Sequence, residues 1–147
     1  MTIALPDIAA TEALGRRIAD LLEPGDIVAL SGGLGAGKTT LARAILSALG
    51  HRGEVPSPTF TIVQTYDPPS VRLPVVHADF YRLNSADELE ELGIDEYREG
   101  AAMLAEWPEQ VGGFSHDPRC LSIALETADA GRMAIARPGA DWLSRWR

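Results

Sequence analysis

The sequence is short of lysine, cysteine and long apolar runs, and each shortage excludes something. Cys120 is the only cysteine, so neither an internal disulfide nor a multi-cysteine metal site can form. No apolar stretch approaches the roughly 20 residues of a membrane-spanning helix. Residues 1–7 lack the basic start and long apolar centre of a signal peptide, so the expectation is a soluble cytoplasmic protein with no membrane partner. Basic residues are few: 13 Lys+Arg stand against 21 Asp+Glu, a formal net charge of −8. Phosphate backbones are held by basic faces, so unaided nucleic-acid binding is not expected. Within that small basic set lysine occurs once, at Lys38; the other twelve residues are arginine. An ammonium is a compact charge with freely rotating donors, whereas guanidinium is a rigid fork. The surroundings of Lys38 therefore carry information.

What remains is ordinary globular material. With 147 residues, 46% apolar and 23% charged, the chain suits one domain spanning 1–147 with its own core. Apolar spacing predicts a helix over 11–22, ended near Pro24-Gly25, and an apolar strand over 26–31. A glycine cluster leads into a helix over 38–49 that stops at Gly50. Strands are expected over 60–66, over 73–79 ending in Asp79, and over 101–106 ending in Glu106. Ser85 and Glu88 have capping-box spacing ahead of a short acidic helix over 87–92. Alternation over 119–127 and 132–137 predicts an antiparallel hairpin across 128–131. Trp142 and Trp146 predict a small terminal helix whose indoles cover the core.

Gly32-Gly33-Leu34-Gly35-Ala36-Gly37-Lys38-Thr39 fits G-x-x-x-x-G-K-[ST], a pattern expected by chance in roughly one chain of this length in a few hundred. Its position after a strand and before a helix is the confirming context. Glycines let successive N–H groups turn inward on phosphate oxygens, and the helix start adds its positive dipole end. Lys38 then reaches the β- and γ-phosphates, and the Thr39 hydroxyl ligates Mg²⁺. Ligands of open α/β sheets sit at the carboxyl ends of strands, where Asp79 and Glu106 fall. Asp79 suits the metal-holding acid; Glu106 either completes the metal shell or orients water. The bland alternative for both is a solvated strand end. His77 reads as a hydrogen-bonding group that orients the strand end rather than as a metal ligand. His51 and His116 read as solvated, Cys120 as a small buried residue, Phe80, Tyr81 and Trp107 as core or interface fillers, and 87–99 as a wet acidic face.

Gly35-Ala36-Gly37-Lys38-Thr39-Thr40-Leu41, Ser57-Pro58-Thr59-Phe60, His77-Ala78-Asp79-Phe80-Tyr81-Arg82-Leu83 and Glu106-Trp107-Pro108 occur in that order. Together they resemble the TsaE family, P-loop ATPases of bacterial tRNA threonylcarbamoyladenosine biosynthesis, over about 11–132. The resemblance implies an α/β, P-loop NTPase-like fold: a mixed sheet, parallel in its nucleotide half and antiparallel in a C-terminal hairpin, flanked by helices. It implies an ATP- and Mg²⁺-dependent ATPase, weak alone and stimulated by TsaB and TsaD. That assembly modifies adenosine 37 of tRNAs reading codons that begin with A; TsaD makes the transfer, and tRNA is met only through the complex. It implies nucleotide contacts from Gly32 to Thr40, with Thr11 and Arg132 nearby. Thr59 belongs to a switch-like loop, Asp79 is the Walker-B-like acid, and Glu106 is a metal or catalytic acid. The family usually has Asp where this chain has Gly33, a free position of the loop that leaves phosphate binding intact. Two other readings stand beside this one: a small-molecule kinase using Arg82 or Arg98 over the phosphates, and a nucleotide-gated binding module without turnover.

Overall fold

A computed structural model describes residues 1–56 and 63–146. Expectations placed on Ser57, Pro58, Thr59 and Phe60, and the first part of the strand expected over 60–66, lie outside the described residues.

One sheet runs through the molecule. In chain order its strands are β1 (Thr2–Leu5), β2 (Ile27–Ser31), β3 (Val63–Tyr66), β4 (Val75–Asp79), β5 (Ala102–Glu106), β6 (Cys120–Ala128) and β7 (Gly131–Pro138). Their spatial order is β1-β7-β6-β2-β5-β4-β3. β2 pairs in parallel with β5 and β6, and β4 with β5. The hairpin β6–β7 is antiparallel, as is β1 against β7. The expected mixed sheet is thus present. It differs at the far edge, where β3 runs antiparallel to β4, and at the near edge, where β1 adds a strand that residues 1–7 do not announce.

β2 and β5 are apolar up to their last residues, Ser31 and Glu106, because neighbours cover both their faces. On one face Val28, Leu30, Leu104 and Val75 pack with Leu41, Ile45 and Ile18 of the two long helices, α1 (Ile8–Leu21) and α2 (Lys38–Ala48). On the other, Ala29, Val76, Phe80 and Met103 pack with Ile94 and Phe114. Asp7 caps α1 by accepting from the Ala10 N–H at 2.9 Å, so the helix starts three residues before the expected one. Gly15 lets α1 lie close on α2: a Cβ there would stand 2.6 Å from that of Ala44.

Two local expectations change. Ser85 precedes α3 (Ala86–Glu91) without a side-chain capping bond; Glu88 accepts instead from the Asn84 N–H at 2.9 Å. The expected terminal helix is only a 3₁₀ turn, Ala140–Trp142, although Trp142 and Trp146 are buried as expected. The chain end is fixed by charge. Arg145 grips the buried Asp26 with two bonds of 2.8 and 3.0 Å, and Asp26 also accepts from the Glu23 N–H at 2.7 Å. Arg145→Ala should therefore lower stability by about 2 kcal/mol, because it leaves the buried carboxylate only the Glu23 N–H and Arg119 Nε, 3.5 Å away. Denaturant melts check this; a loss within error of zero would mean that those two partners suffice.

Candidate functional site

The loop between β2 and α2 is shaped by its glycines. Gly32 has φ +139°, and a Cβ there would meet the Leu125 carbonyl at 2.5 Å. Gly37 has φ +105° and sits against Arg132. Lys38 opens α2 and turns its ammonium back into the loop, donating to the Gly32 and Gly33 carbonyls at 2.7 and 2.8 Å. Trp107 roofs it, with the ammonium 4.1 Å from the ring centroid. Trp107 is the only non-glycine with positive φ (57°) among the described residues. That turn, directly after Glu106, aims the indole over Lys38 and against Tyr81, at 4.9 Å between centroids. Burial pushes the Lys38 ammonium below the ordinary lysine range, while Glu106, Glu109 and Asp79 push it back up.

Sheet register supplies the acids. Asp79 and Glu106 are partners across β4 and β5, at the carboxyl ends of parallel strands. Both are buried, as is His77. Asp79 accepts from the Tyr81 N–H at 2.9 Å. Glu106 is held from both sides: the Thr39 hydroxyl donates to Oε1 at 2.7 Å, and His77 Nε2 lies 2.6 Å from Oε2. Thr39 has one O–H, directed to Glu106, so its lone pairs face other ways. Arg132 donates to the Gly35 carbonyl at 3.1 Å.

A cleft of about 260 Å³ is lined by Leu34, Gly35, Gly37, Lys38, Thr39, Thr40, Asp79, Glu106, Trp107 and Arg132. The structure thus gathers most of the residues expected there. Thr11 lies in a neighbouring cleft of about 390 Å³, beside Asp7 and Thr127, and Arg132 lines both. Curled glycines, a helix start, one ammonium, a hydroxyl and two carboxylates are a donor set that fits a magnesium-bound polyphosphate. From sequence Trp107 reads as a space filler, and His77 as a hydrogen-bonding group that orients the strand end, as its bond to Glu106 does. Their places over Lys38 and beside Glu106 depend on a backbone turn and a strand register that no motif encodes. His51 also differs from the solvated reading: it is half-buried, its ring edge-on to Tyr66 at 4.9 Å. Cys120 is buried as expected, which pushes its thiol up.

The family model described as "Threonylcarbamoyl adenosine biosynthesis protein TsaE" matches residues 5–134. The chain belongs to the TsaE family. It is 48% identical to the tRNA threonylcarbamoyladenosine biosynthesis protein TsaE of Streptomyces coelicolor over 97 residues, 65% of this chain and 66% of that protein. It is 41% identical to the Synechocystis protein of the same description over 116 residues, 76% of this chain and 72% of that one. The crystal structure of Bacillus subtilis YdiB matches 99% of this chain and 88% of its own with a TM-score of 0.74 at 30% identity. The TsaE-family chain thus shares a P-loop NTPase-like fold with a solved protein. No helix among the described residues is long and apolar enough to cross a membrane.

A single lysine gives a single side-chain ¹³Cε resonance. Lys38 ¹³Cε should titrate below the ordinary lysine value of about 10.4. Added pyrophosphate should move the midpoint up, because an anion favours the ammonium. By the same linkage, pyrophosphate affinity should fall as pH rises through the free-state midpoint. A midpoint at or above the ordinary value would mean that Glu106, Glu109 and Asp79, rather than burial, govern the Lys38 ammonium.

Proposed function

We propose that the chain is a single-domain, cytoplasmic, ATP-binding and weakly ATP-hydrolysing subunit that acts with TsaB and TsaD. In this reading it supports threonylcarbamoyl transfer to adenosine 37 of tRNAs reading codons that begin with A, and is not itself the transferase. The observation that carries the nucleotide reading is the chain's only lysine, at the start of α2, inside a cleft closed by two strand-end acids. The family membership carries the pathway.

In this reading the loop N–H groups and the start of α2 receive the phosphates, and Lys38 leaves the Gly32 and Gly33 carbonyls to meet the β- and γ-oxygens. Thr39, Asp79 and Glu106 would hold Mg²⁺, which when bound neutralises charge developing on the phosphate oxygens. Glu106 takes the Thr39 proton into a hydrogen bond, so that the hydroxyl presents lone pairs rather than a donor. Arg132 joins the phosphate cleft to the one containing Thr11, a place for the nucleoside. Thr59, outside the described residues, remains the proposed switch residue. A net charge of −8 leaves tRNA to the partners.

Phosphate release from ATP and Mg²⁺, measured alone and with TsaB and TsaD, tests this. The rate should rise with the partners and need no acceptor; a requirement for a metabolite would make the chain a kinase, and tight binding without turnover a gated module. Lys38→Ala should abolish nucleotide binding or turnover, and normal values for both would refute the site. Glu106→Ala should keep ATP affinity within about tenfold while stopping turnover, since a positioned carboxylate acts on the transition state. Wild-type hydrolysis in that variant would remove Glu106 from the chemistry.

A further inference from the structure

His77 is fully buried in the middle of β4, a strand otherwise made of valine, alanine and the terminal Asp79. Burying an imidazole in an apolar strand costs free energy unless its polar atoms are satisfied. Among the described residues only one of them is. Nε2 lies 2.6 Å from Glu106 Oε2, whereas Nδ1 is inaccessible to solvent and has no hydrogen-bond partner among the described residues. The geometry therefore assigns the proton. An Nε2–H donates to the carboxylate, and Nδ1 is left as an unfilled acceptor; a proton on Nδ1 would be a buried donor with no acceptor among the described residues, the costlier arrangement. A histidine kept at such a cost for one bond is placed for that bond.

The bond's partner is the point. His77 is registered opposite Leu104, two residues before Glu106 on the adjacent parallel strand. Its ring thus reaches diagonally forward to the acid at the strand end. The carboxylate's other oxygen accepts from Thr39 on α2. Without His77, Glu106 would keep one tether and could rotate about its side-chain torsions, and the Thr39 hydroxyl would lose a fixed acceptor.

We infer that His77 is a positioning residue: its Nε2–H locks the Glu106 carboxylate and, through it, the orientation of the Thr39 hydroxyl. This rests on the nucleotide-hydrolysis reading above. Partners that orient an acid beside a metal typically change affinity or activity by about 10–100-fold. Partner-stimulated turnover in His77→Leu should accordingly fall by about that factor, with KM for ATP within about threefold. His77→Gln keeps an N–H at similar reach and should recover most of the rate. Loss that appears only in KM, or a folded His77→Gln no better than His77→Leu, would overturn the inference. Imidazole ¹⁵N shifts give a readout independent of turnover. They should report the Nε2–H tautomer, with a hydrogen-bonded proton that moves upfield in Glu106→Ala. An Nδ1–H tautomer, or a proton indifferent to that substitution, would overturn it as well. If the wild-type chain neither binds nor hydrolyses ATP, the reading of function falls, and the ¹⁵N result alone decides the His77–Glu106 contact.

Discussion

Glu106 joins three parts of the molecule through its carboxylate. Its backbone ends β5, Thr39 reaches it from α2, and His77 reaches it from β4. Two charge-assisted bonds of 2.6–2.7 Å on one buried acid are each stronger than a neutral hydrogen bond. They hold the start of α2 against the strand ends. The same contact places Thr39 and Glu106 side by side in the lining of the cleft. Parallel pairing is what makes it possible, since β2, β4, β5 and β6 all deliver their carboxyl ends to the same rim.

The roof of the cleft is built against local preference. Trp107 adopts a left-handed conformation with φ 57°, which costs a non-glycine residue of order 1–3 kcal/mol. The indole over the Lys38 ammonium at 4.1 Å returns roughly 0.5–2 kcal/mol, which offsets much of the strain. The remainder comes from the surrounding frame: the Trp107 N–H donates to the Leu30 carbonyl at 3.2 Å, and Pro108 starts a 3₁₀ turn immediately afterwards. A strained residue held by its neighbours above the only lysine places the conformational cost of the fold at its candidate chemical centre. Elsewhere the charge is structural, as in the bidentate Arg145–Asp26 pair that ties the last residues to the start of β2.

Much of this was legible in the order of residues, because the signals are local. The glycine loop, Lys38 and Thr39 lie within one turn of chain. The acids at 79 and 106 each close an apolar run, and the β6–β7 hairpin pairs residues joined by a short turn, Ala128 with Gly131. Elements that need a distant partner were not legible. β1 is four residues long, half exposed, and followed by Pro6; it is a strand only because Thr2 meets Ile135 on β7. The two C-terminal tryptophans have helical spacing, but their burial is set by bonds from Trp142 Nε1 to the Arg119 carbonyl and from Trp146 Nε1 to Met1 Sδ, and a 3₁₀ turn suffices to place them. Ser85 and Glu88 have capping-box spacing, yet Glu88 bonds one residue further back.

The sequence by itself determined the chemical parts list: a phosphate-type loop, one ammonium, one adjacent hydroxyl and two acids at strand ends. It did so because each part is specified by residues within a few positions of one another. Tertiary structure alone decided which parts touch. Thr39 and Glu106 are 67 residues apart, His77 and Glu106 29, and Arg132 and Gly35 97. Such pairings are fixed by strand order, register and the seating of α2 on the sheet. Those in turn follow from burying apolar faces across the whole chain, a global sum that no local spacing contains.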